Sequence, residues 1–482
     1  MPKKMNKLLL FILIVCFQGS KISAQEVVVS EIFNSNESIN DNEILGRLNG
    51  NTLVFVQSEF SLICHYNTAM KIVRIDTLPL SQIKASAFYF HNNIFYFLYK
   101  ERLNNRFAVK LTAFDLSNKL KQKQSITLDT ISKNANDLYE KIIVSSDKSL
   151  LSIVFHNESE NEIRFINFNA TLNKKWTKKL NYENNHLSLH KVAVLNDSSN
   201  LALFFDMKER NKEASKLYLF QSKTKKITTY EYNNLKFYDA NFAFNYNNKT
   251  LYLCAFSSEI TTESVDKMTV FSINDSVKIN TYNIDENKVQ NANNYSKTSS
   301  SKGFKDYLIN EVVFTKNNDL ILVSELYKKY ENVLRNSNWD YNNGLNVGVP
   351  AYGGYTSAQP ESTIYVYGNI FLMAISHQNK PLWTELISKR QDSENDYGKL
   401  SSFAMLNSGN TLRFFYNDEL SNKGTLQMVE IDANGNSKRK TILNNNKYNI
   451  ISRPKFAQQI APNAILLPSL YKGKLVYAKI VF

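Results

Sequence analysis

Six polar side chains fall in the C-terminal third of the chain: Glu325, Lys389, Gln391, Asp396, Asn417 and Asp418. Three are carboxylates, and carboxylates do chemistry in pairs. Two of them roughly 5–9 Å apart across a sugar can protonate a leaving group and activate a nucleophile. With the lysine and the two amides they could instead hold an ion or a polar ligand. They could also be structural, locking one sheet against the next. The residues alone leave these three readings open, and a perturbed pKa within the cluster would favour a site. A second set is aromatic. Trp339, Tyr341, Tyr352 and Tyr355 lie in a segment at 328–362 that also holds four of the fourteen glycines. Aromatic side chains give large contact area at low entropic cost, so this set reads as a binding element. A loop that folds back over the protein is its structural counterpart.

Other chemistry is scarce. There is no G-x-S-x-G, no H-E-x-x-H, no phosphate-binding loop and no dinucleotide fingerprint. No catalytic residue and no cofactor is therefore assigned. His186 and His190 would share one strand face, but a metal needs at least one more ligand. Asp432-Ala-Asn-Gly-Asn436 departs from a calcium loop, because its glycine is at the fourth position and Leu443 stands where a bidentate glutamate belongs. It reads as a hairpin turn, and no metal site is assigned.

The elements that must position these residues recur. An apolar residue, a turn and a new strand return near Tyr66, Phe114, Phe168, Phe220, Ile273, Ile375 and Ile431, roughly every 50 residues with one double interval. Each unit reads as four short strands, which predicts a β-propeller. Continuous apolar runs such as Leu150-Leu-Ser-Ile-Val-Phe155 mark strands buried on both faces, and alternation marks half-exposed ones. The C-terminal unit supplies only three strands. The orphan strand at 26–32 would complete it by pairing with 474–482, closing a ring of eight blades; seven is the alternative if the weak first unit is incomplete. Asn pairs such as Asn92-Asn93 and Asn317-Asn318 stand where turns are expected, because Asn tolerates positive φ. A polar stretch at 285–306 reads as a surface linker, and 26–482 as one domain.

Trp176 and Trp383 follow an apolar strand and a turn at matching places in units three and six. That pattern resembles quinoprotein-type propeller blades, where the resemblance implies a Trp packed between blades; it does not extend to a quinone site. The order Leu320-Ile-Leu-Val-Ser-Glu-Leu-Tyr327, a Tyr-rich insertion, Trp383, Ile387-Ser-Lys-Arg-Gln391 and Phe415-Tyr-Asn-Asp418 resembles a family of exported bacterial propeller-like proteins of unknown function. The similarity covers about 320–482. Ser388 stands where that family commonly has Pro, and Asn317-Asn-Asp319 replaces its glycines. The resemblance implies fold and export, and no activity.

The N-terminus carries a basic start, the apolar run from Leu8 to Phe17, and small residues up to Ala24. This reads as a signal peptide at 1–24, since spanning a bilayer takes about 20 apolar residues. The net charge of +14 includes four lysines of that segment, leaving +10 for the mature chain. Cys64 and Cys254 fall in different units and are expected to be free thiols. Together these features predict an exported, periplasmic or cell-surface scaffold that binds a protein or an anionic glycan of the envelope. A glycan hydrolase or lyase with carboxylates in the funnel, and a subunit of a surface or secretion assembly, are the alternatives. Nucleic acid is not an expected partner, and no transmembrane span is expected in the mature chain.

Overall fold

The computed structural model describes residues 26–32 and 41–482, apart from 285–302, 333–361, shorter stretches at 58–59, 80–84, 104–105, 133–137, 183–186 and 207–213, and positions 225, 233, 263, 410 and 422. The proposed signal segment thus lies outside the described residues, as do Trp339, Tyr341, Tyr352, Tyr355 and His186. Among the described residues no helix is long and apolar enough to cross a membrane.

Eight antiparallel sheets form an eight-bladed β-propeller, seven of them built on four consecutive strands; in blade six Gln391–Glu394 adds a fifth strand by pairing with Ser362–Ile375. The first unit is a complete blade. Inner strands run at Asp41–Leu48, Ala85–His91, Leu138–Val144, Leu187–Val194, Leu235–Asn245, Tyr307–Phe314 and Ala404–Asn407. Blade eight has its inner strand in two pieces, Ile450–Ser452 and Gln458–Ala461, both paired with Ala464–Tyr471. Pro454, at the start of a short 3-10 turn, sits in the break. The blade ends with Lys474–Val481 and then the N-terminal strand Glu26–Val29, registered Glu26 to Val481 and Val29 to Ala478.

The physical reason for a ring is visible in the packing. Successive residues of a strand face opposite sides of the sheet. In blade one, Leu53 and Phe55 pack towards blade two, while Val54 and Val56 pack towards blade eight. Six further apolar clusters fill the remaining junctions between neighbouring blades. The apolar runs are explained this way: each blade has two faces to bury. Cys64 lies in the junction of blades one and eight, and Cys254 in that of blades five and six; both are buried and free.

The end of the polar stretch at 285–306 is drawn into the core. Gly303 bridges to Val265, and Phe304 is buried against Phe256 and Phe371. In blade six, strands Leu320–Asn332 and Ser362–Ile375 stay paired from Tyr327–Tyr367 out to Asn332–Ser362. Both ends of the segment at 328–362 are therefore sheet.

Candidate functional site

One face of the ring carries the blade-to-blade connections and the hairpins between second and third strands. On that face a cleft of about 540 Å³ opens between blades six, seven and eight. Its site in the sheet follows from a bulge. Between Glu325 and Tyr327 the register against the partner strand shifts, leaving Gly368 and Asn369 extra opposite Leu326. Gly368 is needed there, since a Cβ would stand 2.8 Å from the Leu326 side chain. The bulge re-aims the strand ends and frees Asn369, whose Oδ1 accepts the backbone N–H of Lys389 at 3.1 Å.

The back of the cleft is a buried polar network. Lys389 Nζ stands 2.6 Å from Glu325 Oε1, with both side chains almost wholly buried. Lys389 Nζ also donates to Gln391 Oε1 at 2.9 Å. Ser402 Oγ donates to Glu325 Oε2 at 2.5 Å, and Ser402 N–H to Gln391 Oε1 at 2.8 Å. Gln391 Nε2 donates to the Asn417 carbonyl at 2.8 Å. Asn417 Nδ2 in turn donates to the carbonyls of Leu400 and Ser452 at 2.9 and 2.8 Å. Blades six, seven and eight are joined by this chain of bonds. Burial pushes the Lys389 ammonium below its ordinary range, and the Glu325 carboxylate opposes that shift.

Four of the six polar residues singled out in the sequence are thus brought together: Glu325, Lys389, Gln391 and Asn417. Asp396 instead caps its own turn, accepting Gly398 N–H at 2.7 Å. Asp418 closes the next hairpin of blade seven through Thr425 N–H and Oγ1. His190 Nε2 lies 3.1 Å from Asp239 Oδ1. Among the described residues no group of three His, Cys, Asp or Glu side chains could hold a metal ion. Asp432 accepts Asn434 N–H and Asn436 N–H, both at 2.9 Å, as a turn residue.

The accessible wall of the cleft consists of residues the sequence reading did not assign to a site: Leu308, Tyr327, Phe403, Met405 and Lys455, with Glu311 on the channel side. Tyr327 and Tyr367 pack at 4.9 Å between ring centroids. Lys455 Nζ donates to Tyr367 Oη at 3.0 Å. Burial, reinforced by the Glu325 and Asp396 charges, pushes the Tyr367 phenol up to about 12. The signal that could have found this wall is the tyrosine in the middle of each long blade-six strand, beside the bulge. Glu311, on the inner strand of blade six, is crowded by surrounding protein, which raises its pKa; Lys191, on the inner strand of blade four, opposes this. Lys191 Nζ donates to Asn241 Oδ1, and Asn241 Nδ2 donates to the carbonyls of Ile309 and Asn310 at 2.9 and 3.1 Å.

No family model matches the chain, and no curated protein is similar to it in sequence. Solved structures align with the chain at low identity. A polysaccharide lyase, Uly1, is 8% identical over 95% of this chain and 98% of its own, with a TM-score of 0.38. A prolyl endopeptidase is 8% identical over 92% of this chain, with a TM-score of 0.41, and this chain spans 55% of its length. A protein of unknown function from Bacteroides caccae is 10% identical over 72% of this chain and 93% of its own, with a TM-score of 0.30.

Proposed function

We propose that the protein is an exported, non-catalytic binding propeller of the cell envelope that seats a protein or glycan ligand in the cleft between blades six and eight. The observation that carries this reading is the state of Glu325. One carboxylate oxygen pairs with Lys389 and the other accepts from Ser402, in a network with almost no exposed side chain. Such a group joins blades and has no oxygen free to exchange protons with a substrate. What faces the open cleft is contact surface: apolar Leu308, Tyr327 and Phe403 beside the Lys455 ammonium. The basic mature chain adds a general attraction for anionic envelope components. Trp339, Tyr341, Tyr352 and Tyr355, which lie in sequence between the paired strand ends Asn332 and Ser362, would extend the contact.

The test is capture from the native envelope and from a glycan array. Tyr327→Ser with Lys455→Glu should fold normally and lose the ligand retained by the wild type. Replacing Trp339, Tyr341, Tyr352 and Tyr355 with Ser should weaken capture further. Retention of every partner by both variants would refute the reading.

One observation favours an envelope hydrolase or lyase as a second reading. Glu311 is an accessible carboxyl in the channel whose crowding favours its protonated form. Cleavage of a glycan panel that stops in Glu311→Gln would establish that alternative.

A further inference from the structure

We infer that the opposite mouth of the channel is a separate site for an anionic saccharide, built from Arg47, His91 and Lys148. These residues come from blades one, two and three. Arg47 is next to last in the inner strand of blade one, His91 ends that of blade two, and Lys148 stands in the first turn of blade three. They line a single cavity of about 540 Å³, which the split inner strand of blade eight also borders through Gln458. The cavity lies at the ends of these strands away from the bulged cleft of blade six, so the two sites are on different faces.

Charge is the first argument. Neither Arg47 nor Lys148 has a carboxylate partner among the described residues, although elsewhere in the molecule basic groups commonly do. Glu43 is the one acid among the lining residues, and it has an interaction of its own. Two unneutralised cations converging on a concavity attract an anion, and the concave wall strengthens the field there. The Lys148 charge acts on His91 as well: crowding, aided by Lys148, holds its pKa below the ordinary value. At neutral pH His91 is therefore an uncharged group, and its ring nitrogens have no hydrogen-bond partner among the described residues.

Shape and polarity are the second argument. The volume falls within the 300–1,000 Å³ or so typical of small-molecule sites, far more than a bare oxyanion fills. The side-chain amides of Asn92, Asn93 and Gln458 line the wall and carry no hydrogen bond among the described residues. Asn92 and Asn93 form the turn after His91, with positive φ of 48° and 65°. Tyr89 stacks against His91 at 6.2 Å between ring centroids. Free amides, an aromatic face and two cations match a sugar's hydroxyls, its apolar ring face and an acidic substituent.

The test is calorimetry on the full mature chain with sulfated, phosphorylated and uronate-bearing disaccharides, their neutral parent, and inorganic sulfate. At least one acidic disaccharide should bind. Its affinity should fall about tenfold or more in Arg47→Gln and in Lys148→Gln, and fall with rising salt. Melting temperatures of both variants should match the wild type, and Tyr327→Ser in the upper cleft should leave this affinity unchanged. Binding of none of the disaccharides, equal binding by the neutral parent, equal binding by the two variants, or binding of inorganic sulfate as tight as the disaccharide would each overturn the inference. Loss of binding in Tyr327→Ser alone would place the saccharide in the upper cleft instead, supporting the proposed function and refuting this second site.

Discussion

The indole of Trp383 occupies the space that a side chain at Gly435 would need. A Cβ at that position would come 2.6 Å from the ring, and Gly435 itself has φ +83°. Trp383 Nε1 also donates to the Ala433 carbonyl at 3.1 Å. The outer strand of blade six is thereby docked on a turn of blade seven. Gly435→Ala meets both a steric and a conformational penalty, and should destabilise by about 1–3 kcal/mol. Denaturant unfolding measures this. Combined with Trp383→Leu the loss should be less than additive, because the ring that clashes is gone. Strict additivity would show that the contact contributes nothing.

The N-terminal strand should hold the ring closed. Beyond the four paired residues, Ser30 N–H donates to the Tyr477 carbonyl at 2.8 Å and Tyr477 N–H to Ser30 Oγ at 2.9 Å. Glu31 then reaches blade one through Met70 and Ile72. Removing residues 26–31 leaves Lys474–Val481 as an open edge beside apolar Val476 and Ile480. The truncated chain should melt several degrees lower and aggregate in light scattering. An unchanged melting temperature would mean that the junction of blades one and eight closes the ring unaided.

The Glu325–Lys389 pair predicts an asymmetry. Lys389→Met leaves a carboxylate buried without its counter-charge and should cost about 3–5 kcal/mol. Adding Glu325→Gln to that variant should recover much of the loss, since a neutral amide can keep the Ser402 bond. A pair that served a ligand instead would show little stability change in Lys389→Met and a large loss of binding.

Much of the ring was legible because each blade must bury two faces, which writes apolar runs such as Leu53-Val-Phe-Val56 into the sequence at blade intervals. The closing strand was legible by the same logic, as an apolar strand with no partner in its own unit. The cleft was less so. Lys328-Lys-Tyr-Glu331 is too polar to read as strand, yet it pairs because the register set at Leu320–Ile375 continues past the bulge. Tyr327 and Tyr367 therefore face each other for a reason that lies in pairing, forty residues apart. Asp396 and Asp418 carry the right chemistry for the polar network, but local turn geometry claims them first. The lower mouth gathers Arg47, His91 and Lys148 from three blades, and no spacing in one segment announces that.

Cys64 and Cys254 should both react as free thiols after denaturation under non-reducing conditions. Burial pushes each thiol up to about 12, so both should resist alkylation in the folded protein at neutral pH. A mass lower by two hydrogens, restored by reductant, would contradict their placement at separate blade junctions.

Acid sensitivity should set in near the ordinary histidine pKa. His156 is buried, with Nε2 2.8 Å from Tyr182 Oη, and burial lowers its pKa from 6.5. His65 lies 2.8 Å from Asp76, yet burial outweighs that carboxylate and again lowers the value. A depressed folded pKa means that the unfolded chain takes up the proton first. The stability these groups contribute is therefore present above 6.5 and is lost as pH falls from there towards their folded values. The melting temperature should be level from pH 8 to 7 and decline below 6.5. His156→Gln keeps a neutral partner for Tyr182 and should flatten part of that decline. Asp115 defines a second, lower window: its hydrogen bonds with Ser117 and Lys123 bring its pKa down to about 2, so its contribution fades only below 3.8. A decline between pH 6.5 and 5 that persists undiminished in His156→Gln with His65→Gln would show that the buried histidines are not its cause.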